Sequence, residues 1–336
     1  MRFGRVSVIT TDPIGHLPAF EDDGVHPRIY RVRSFAPREN YHFPSPARLY
    51  RCLRDSNPRI LHLHSLHDIP APLAAMMKGN SSLVLTPHFH GRMYSRLGGI
   101  FSAAYRSLLR KIIYRVSALV CVSRFEARLV AEALPGSEEK IQVIPNGVDE
   151  DLLQNYSWQQ PDVPRILYVG RLERYKNVDK IIRAFAALRA GNARLRLAVV
   201  GKGPYKEELR GLARDLQLGE EVMWLEGVDK AELSELYCSS SVVVLPSELE
   251  AFGLVAAEAI SLGVPTLVAN SSALSEFVEA GLASGLEVPI GEDDLMKKIS
   301  ELLASPAMHS FRGRHELIQP WRGVADKTFR LYESLL

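Results

Sequence analysis

The chain is short of the features that mark specialised proteins. Of its 336 residues only three are cysteine, Cys52, Cys121 and Cys238. Three scattered thiols exclude a disulfide framework and a cysteine-based metal site; Cys121 and Cys238 lie in or beside apolar runs and read as buried thiols in a reducing cytoplasm. No apolar stretch is long enough to cross a bilayer, and the opening residues lack the apolar core and small-residue cleavage site of a signal peptide. A net charge of +2 gives no electrostatic reason to expect nucleic acid as a partner. Repeats and low-complexity tracts are missing too. What remains, 46% apolar and 24% charged, is the composition of a soluble globular protein. Its length suits two domains better than one core.

Short β-branched runs alternate with longer helical patterns, which predicts βαβ units around parallel sheets. Strands are expected at 5–10, 28–33, 59–63, 82–85, 118–122 and 140–144, then at 165–169, 194–200, 221–225, 241–245 and 265–268. Helices are expected at 46–55, 69–78, 100–116, 124–134, 178–190, 205–216, 230–238, 253–262, 295–304 and 325–335. The proline- and polar-rich stretch from Pro145 to Pro164 is the boundary candidate. This predicts two Rossmann-like α/β domains, 1–145 and 146–320, facing a central cleft, with a closing helix at 321–336 placed to return across the first. Ligands of such folds bind where strand carboxyl ends meet the cleft.

Two segments of the second half carry charge in a pattern that suits a diphosphate with hydroxyl-bearing rings. Arg171 follows the apolar strand ending at Gly170, and Lys176 stands five residues later, where the next helix begins. A helix start offers free N–H groups and a positive dipole end, and two cations there strengthen anion capture. Taken singly, they are also what a solvated loop contains. After the buried run 241–246 come Glu248, Glu250 and the Phe252-Gly253-Leu254 opening of a helix that carries Glu258. Glu258 can accept from a ribose diol and Glu250 from hexose hydroxyls; the plainer reading is that acids near a helix start favour its dipole. The Gly201-Lys-Gly203-Pro204 turn lacks the G-x-G-x-x-G spacing and is read as a tight strand-to-helix turn. Gly227-Val228 can offer backbone groups to a flat base.

These elements together resemble the retaining GT-B glycosyltransferases of family 4. The resemblance lies in Val143-Ile-Pro-Asn-Gly-Val-Asp149, Val169 to Asn177, Val200 to Pro204 and the Glu-x7-Glu spacing of Glu250 and Glu258, and runs from about Ile60 to the C-terminus. It implies a nucleotide-diphosphate sugar donor, UDP- or GDP-linked, held mainly by the second domain. Carried onto this sequence, Arg171 and Lys176 contact the diphosphate and stabilise the departing nucleotide. Glu258 holds the ribose, Glu250 orients the transferred hexose, and the backbone of Gly170, Phe252, Gly253 and Leu254 adds donor contacts. Leu85-Thr-Pro-His88 matches the strand end whose histidine approaches the hexose, with His90 two positions away as the alternative. The implied catalytic set is His88, Arg171, Lys176 and Glu250, without a metal or other cofactor, and with retention of anomeric configuration. His62, His64 and His67 lack an accompanying acid or cysteine and read as cleft or packing residues. Neither Asp22-Asp23 nor Asp293-Asp294 forms an Asp-x-Asp element.

The front of the chain departs from that pattern. The strand at 5–10 matches the family's second strand, and no Gly-Gly loop precedes it. The expectation is a chain lacking its opening β-α unit, truncated or wrongly started, with apolar strand edges left exposed. Between His88 and Arg128 eight Arg or Lys residues face one acid, Glu126. The basic amphipathic helix at 100–116 suggests peripheral contact, through 92–115, with the inner face of a membrane and a lipid-linked acceptor; an ordinary surface helix is the competing reading. A glycan or small molecule is the other acceptor class, and a non-catalytic nucleotide-sugar-binding paralogue is the alternative function.

Overall fold

The computed structural model describes residues 5–38, 41–65, 69–91, 111–305 and 315–336. Two compact units emerge, Met1–Ile144 with Ala325–Leu336, and Pro145–Val324.

The first unit holds two sheets. One is mixed: β1 (Ser7–Asp12) runs parallel to β3 (Arg28–Arg38), while β2 (Phe20–Glu21) and β4 (Tyr41–Pro44) pair with β3 in antiparallel fashion. The antiparallel pair was not expected from the sequence, because two- and four-residue edge strands are too short to show a period. The other sheet is wholly parallel and follows chain order: β5 (Ile60–His64), β6 (Ser82–Thr86), β7 (Ala118–Cys121) and β8 (Ile141–Val143). Helices α1 (Pro46–Ser56), α2 (Pro70–Met76) and α3 (Arg124–Ala133) connect them. One apolar cluster joins both sheets, running from Val32 through Leu49, Leu53 and Leu63 to Leu83, Leu85 and Leu119.

The described end of the basic helix, at 111–115, turns Ile112 and Ile113 into that same cluster. For those residues the apolar face is core rather than surface. Residues 92–110 lie outside the described part, as does His67.

The second unit is built on six parallel strands, β10 (Arg165–Val169), β11 (Arg196–Val200), β12 (Val222–Leu225), β13 (Val242–Leu245), β14 (Thr266–Ala269) and β15 (Ser284–Leu286). Their spatial order is β12-β11-β10-β13-β14-β15. In chain order that is 3-2-1-4-5-6, the doubly wound arrangement in which order reverses between the first and fourth strands. Helices α4 (Glu150–Asn155), α5 (Val178–Gly191), α6 (Lys206–Asp215), α7 (Lys230–Cys238), α8 (Leu254–Leu262), α9 (Ser275–Glu279) and α10 (Glu292–Ala304) complete it. Strands β13 and β14 are buried at every residue, so they read as continuous apolar runs, as both-face-covered parallel strands do.

The stretch at 145–164 is not a loose tether. Trp158 is buried, its ring N–H donates to the Ser240 carbonyl at 2.7 Å, and its backbone N–H donates to Leu262. A short parallel pair, β9 (Gly147–Val148) with β16 (Gln319–Pro320), precedes α11 (Trp321–Ser334). Among the described residues no helix is long and apolar enough to cross a membrane.

Candidate active site

The reversal between β10 and β13 places two loops side by side at the carboxyl edge of the sheet, and these carry the two charged motifs. The loop after β10 is held from below. Gly170 donates to the Val200 carbonyl, and the Tyr168 hydroxyl, wholly buried, donates to the Arg171 carbonyl at 2.8 Å. The Gly201–Gly203 turn is laced into it: Leu172 donates to the Lys202 carbonyl and Tyr205 to the Leu172 carbonyl. A Cβ on Gly201 would lie 1.9 Å from the Gly170 carbonyl oxygen, and one on Gly203 2.3 Å from that of Leu172. The glycines are there because two backbones touch, which the sequence reading as a simple tight turn did not reach.

Beyond that support Arg171 stands half exposed and pairs with Glu173 at 3.1 Å. A 3-10 turn at Arg174–Lys176 and a left-handed Asn177 (φ 54°) lead into α5. Lys176 does not point to solvent: it is mostly buried and forms an ion pair with Glu250. Two residues 74 apart in the chain thus meet.

The Glu250 loop is pinned on its other side. Asn177 donates its side-chain amide to the Pro246 carbonyl at 2.9 Å and to Glu248 at 3.2 Å. The Glu250 N–H donates to Ser272 Oγ at 3.1 Å, and Ser271 Oγ donates to the Glu248 carbonyl at 3.1 Å. Ser271 and Ser272 escaped the sequence reading, and Asn177 entered it only as the last residue of a motif, with no role of its own. Only Asn177 carried a local signal, since a helix-preceding Asn is a common turn residue.

Phe252 is buried edge-on against Phe277 at 5.7 Å, so only its backbone is available to a ligand. Gly253 (φ 98°) begins α8 without a side-chain cap, leaving the first amides of that helix to be satisfied by something else. Within α8, Glu258 accepts a hydrogen bond from the Tyr237 hydroxyl at 2.9 Å. Burial pushes the Glu258 carboxyl above its ordinary range, against which the Tyr237 bond works. Gly227 (φ 65°) and Val228 form the open turn after β12, on the same sheet edge. The structure therefore joins Lys176 with Glu250 directly. It sets Arg171 on the neighbouring loop and gives Glu258 a separate anchor in α7.

One further acidic pattern exists that the sequence reading passed over. Asp149-Glu150-Asp151 has Asp-x-Asp spacing. Asp149 caps α4 through the Asp151 N–H at 3.1 Å and pairs with Lys230 at 2.6 Å, which holds its pKa below the usual carboxylate value. Among the described residues no three His, Cys, Asp or Glu side chains gather as ligands for a metal ion.

In the first unit, His88 follows β6 in the left-handed region (φ 51°). Parallel pairing sets His62 beside Val84 and His64 beside Thr86. Three imidazoles then line up: His62 stacks on His64 with centroids 4.5 Å apart, and His64 meets His88 edge to edge with centroids 5.5 Å apart. His64 Nδ1 lies 3.3 Å from His88 Nε2. His62 Nδ1 meets the Tyr332 hydroxyl and its Nε2 lies 2.8 Å from Thr86 Oγ1. Burial, with the neighbouring rings, pushes His62 down to about 3, so it is neutral at physiological pH. Beside this stack Glu126 is fully buried, accepting from the Phe89 N–H at 2.5 Å and the Val122 N–H at 2.6 Å. Burial pushes it up to about 7.

The switch point of a doubly wound sheet, which here carries paired charges, is where α/β folds bind ligands, and the comparisons give the class. Residues 155–318 match Glycosyl transferases group 1, and residues 2–152 match Glycosyltransferase Family 4. The chain carries both domains and is a glycosyltransferase of the GT-B fold. It is 27% identical over 358 residues to an uncharacterized glycosyltransferase of Methanocaldococcus jannaschii, covering 98% of this chain and 89% of that one. It is 28% identical over 295 residues to the GDP-mannose-dependent alpha-(1-6)-phosphatidylinositol monomannoside mannosyltransferase of Mycolicibacterium smegmatis, covering 79% and 76%. In fold it is similar to sucrose-phosphate synthase from Thermosynechococcus elongatus, with TM-score 0.79, 20% identity and coverage of 98% and 89%. Anabaena HepE in complex with UDP and glucose is similar at TM-score 0.68, with 18% identity and coverage of 91% and 86%. These matches favour catalysis over the non-catalytic paralogue.

Proposed function

We propose that this glycosyltransferase moves a hexosyl group from a UDP- or GDP-sugar to a glycan, lipid-linked or small-molecule acceptor, with retention of anomeric configuration and no resident metal. The Lys176–Glu250 ion pair at the strand-order reversal carries the reading. A cation and an acid held together there can grip a phosphate and a sugar hydroxyl that are covalent neighbours in one ligand. Among proteins similar to this one, the mycolicibacterial relative is GDP-mannose-dependent and HepE was solved with UDP and glucose.

In this reading the sugar C1–O bond breaks and leaves negative charge on the diphosphate. Arg171 meets it with a planar fork of donors and Lys176 with a point charge, while Lys176 keeps its second contact to Glu250. Glu250 accepts from hexose hydroxyls, and Glu258, braced by Tyr237, accepts from the ribose diol. Amides of Phe252, Gly253 and Leu254 and the backbone of Gly170 line the phosphates; Gly227 and Val228 face the base. His88 approaches the transferred hexose. The acceptor oxygen bonds to C1 on the face the phosphate leaves, and its proton passes to the departing phosphate oxygen. No carboxylate nucleophile is required, in contrast to the covalent route of retaining glycosidases. The enzyme works in the cytoplasm, where the basic residues of 92–115 bring it to a lipid-linked acceptor at the inner membrane face.

Purified protein incubated with a panel of UDP- and GDP-sugars tests this by release of nucleotide, with and without acceptor. Arg171→Ala and Lys176→Ala should each lower kcat by about 10²–10³, the cost of removing one preorganised charge-stabilising donor. Wild-type turnover in both Arg171→Ala and Glu250→Gln would sink the assignment. Flotation with anionic vesicles tests the membrane contact: Lys111→Glu and Arg115→Glu should weaken binding, and unchanged binding would overturn the role given to these basic residues.

A further inference from the structure

The histidine stack has a geometry that packing alone does not ask for. His62 and His64 lie two apart on β5 and so share one face of the sheet. The register of β5 with β6 brings the chain after Thr86 over the end of β5. At His88 the backbone turns into the left-handed region, which a non-glycine residue adopts only when its surroundings hold it there. The next residue is held: Phe89 N–H donates to the buried Glu126 carboxylate, whose second oxygen is bound by Val122. The main chain at His88 is therefore fixed from the α3 side. His64 meets the imidazole itself edge to edge, with Nδ1 at 3.3 Å from Nε2, ring centroids 5.5 Å apart and the planes within 20° of each other.

We propose that His64 is a positioning residue for His88, holding its imidazole and setting which of its two nitrogens carries the proton. The proposal rests on the reading of His88 as the residue that approaches the transferred hexose. Two neutral imidazoles meeting nitrogen to nitrogen share one proton, so one donates and the other accepts. A proton on His64 Nδ1 makes His88 Nε2 an acceptor and sends the His88 proton to Nδ1; the opposite choice reverses both. The stack behind makes one choice persist. His62 lies against a face of His64 at 4.5 Å, and both its nitrogens are engaged, by Tyr332 and Thr86. Tyr332 belongs to α11, so the C-terminal helix buttresses the same stack.

The test separates positioning from packing through side chains that copy one nitrogen each. An Asn amide reaches about where imidazole Nδ1 sits and a Gln amide about where Nε2 sits. In protein labelled with 15N at the histidine rings, His64→Leu and His64→Gln should change the His88 tautomer, whereas His64→Asn should keep a single one. With the best nucleotide sugar, kcat should fall about 10- to 100-fold in the Leu and Gln variants. It should stay within about threefold in Asn, with nucleotide Kd within about twofold throughout. His64 is exposed to solvent and outside the apolar cluster, so urea midpoints of the three variants should stay close to wild type. An unchanged His88 tautomer in His64→Leu overturns the proposal, as does a changed tautomer with wild-type kcat. His88→Ala with undiminished turnover would instead remove the reading of His88 itself, and the proposal with it.

Discussion

The two wholly parallel sheets end in different ways. In the first unit β5 to β8 lie in chain order, so among the described residues this sheet has no reversal of strand order. Their carboxyl ends carry a row of imidazoles and a buried carboxylate that grips a loop amide. In the second unit the order reverses between β10 and β13, and the two following loops lie side by side, joined by the Lys176–Glu250 ion pair. Burial differs as well. β13 and β14 are covered on both faces, whereas β1 alternates, with Val8 44% exposed, and Phe35 on β3 is 71% exposed. Strand composition alone does not make a ligand site; the order in which strands are laid down decides where a gap exists for one.

The largest effect should come from crowding the backbone contact beneath the loop that follows β10 in the second unit. Gly201→Ala forces a methyl to 1.9 Å from a backbone oxygen, at φ 144°. It should cost at least about 3 kcal/mol in urea denaturation. Gly24→Ala in the first unit, also at positive φ but with nothing within 4 Å, should cost only about 1 kcal/mol.

The next prediction concerns Glu126. Its folded pKa of about 7 stands above the ordinary 4.5, so the stabilisation from its bound proton is complete below pH 4.5 and is lost as pH rises through 7. Two and a half units correspond to about 3 kcal/mol. Between pH 5 and 8 wild type should lose stability relative to Glu126→Gln, by most of that amount, in paired urea midpoints. Parallel curves for the two proteins would mean that the carboxylate is ionised throughout.

The same substitution in the two regions should then give unequal answers. Val243→Thr buries an unmatched hydroxyl in a strand with no solvent on either side and should cost about 2 kcal/mol. Val8→Thr, half in water, should stay within about 0.5 kcal/mol. Equal losses would show that the face of β1 bearing Val8 is covered in solution.

Much of the second unit was legible because its signals are local. The run Val242–Leu245 declares a buried strand, Gly253 a helix start, and the Glu250 and Glu258 spacing a recognisable motif. Less of the first unit was legible. β2 and β4 are too short for periodicity, and Glu126 looked like a single acid in a basic stretch, although Ser123 three residues earlier is its capping partner. The Asp149 cap showed how a short acidic pattern can be consumed by helix start chemistry.

By itself the sequence determined the element types, the α/β class and the chemical character of the loops, because apolar period and turn residues act over a few neighbouring positions. Tertiary structure decided the rest. Strand order put Arg171 and the Glu250 loop beside one gap, joined Lys176 to Glu250 across 74 residues, and brought His64 to His88 across 24. Those meetings depend on which strands pair and in what order. That is settled by burial of the whole sheet, and no local window of residues contains it.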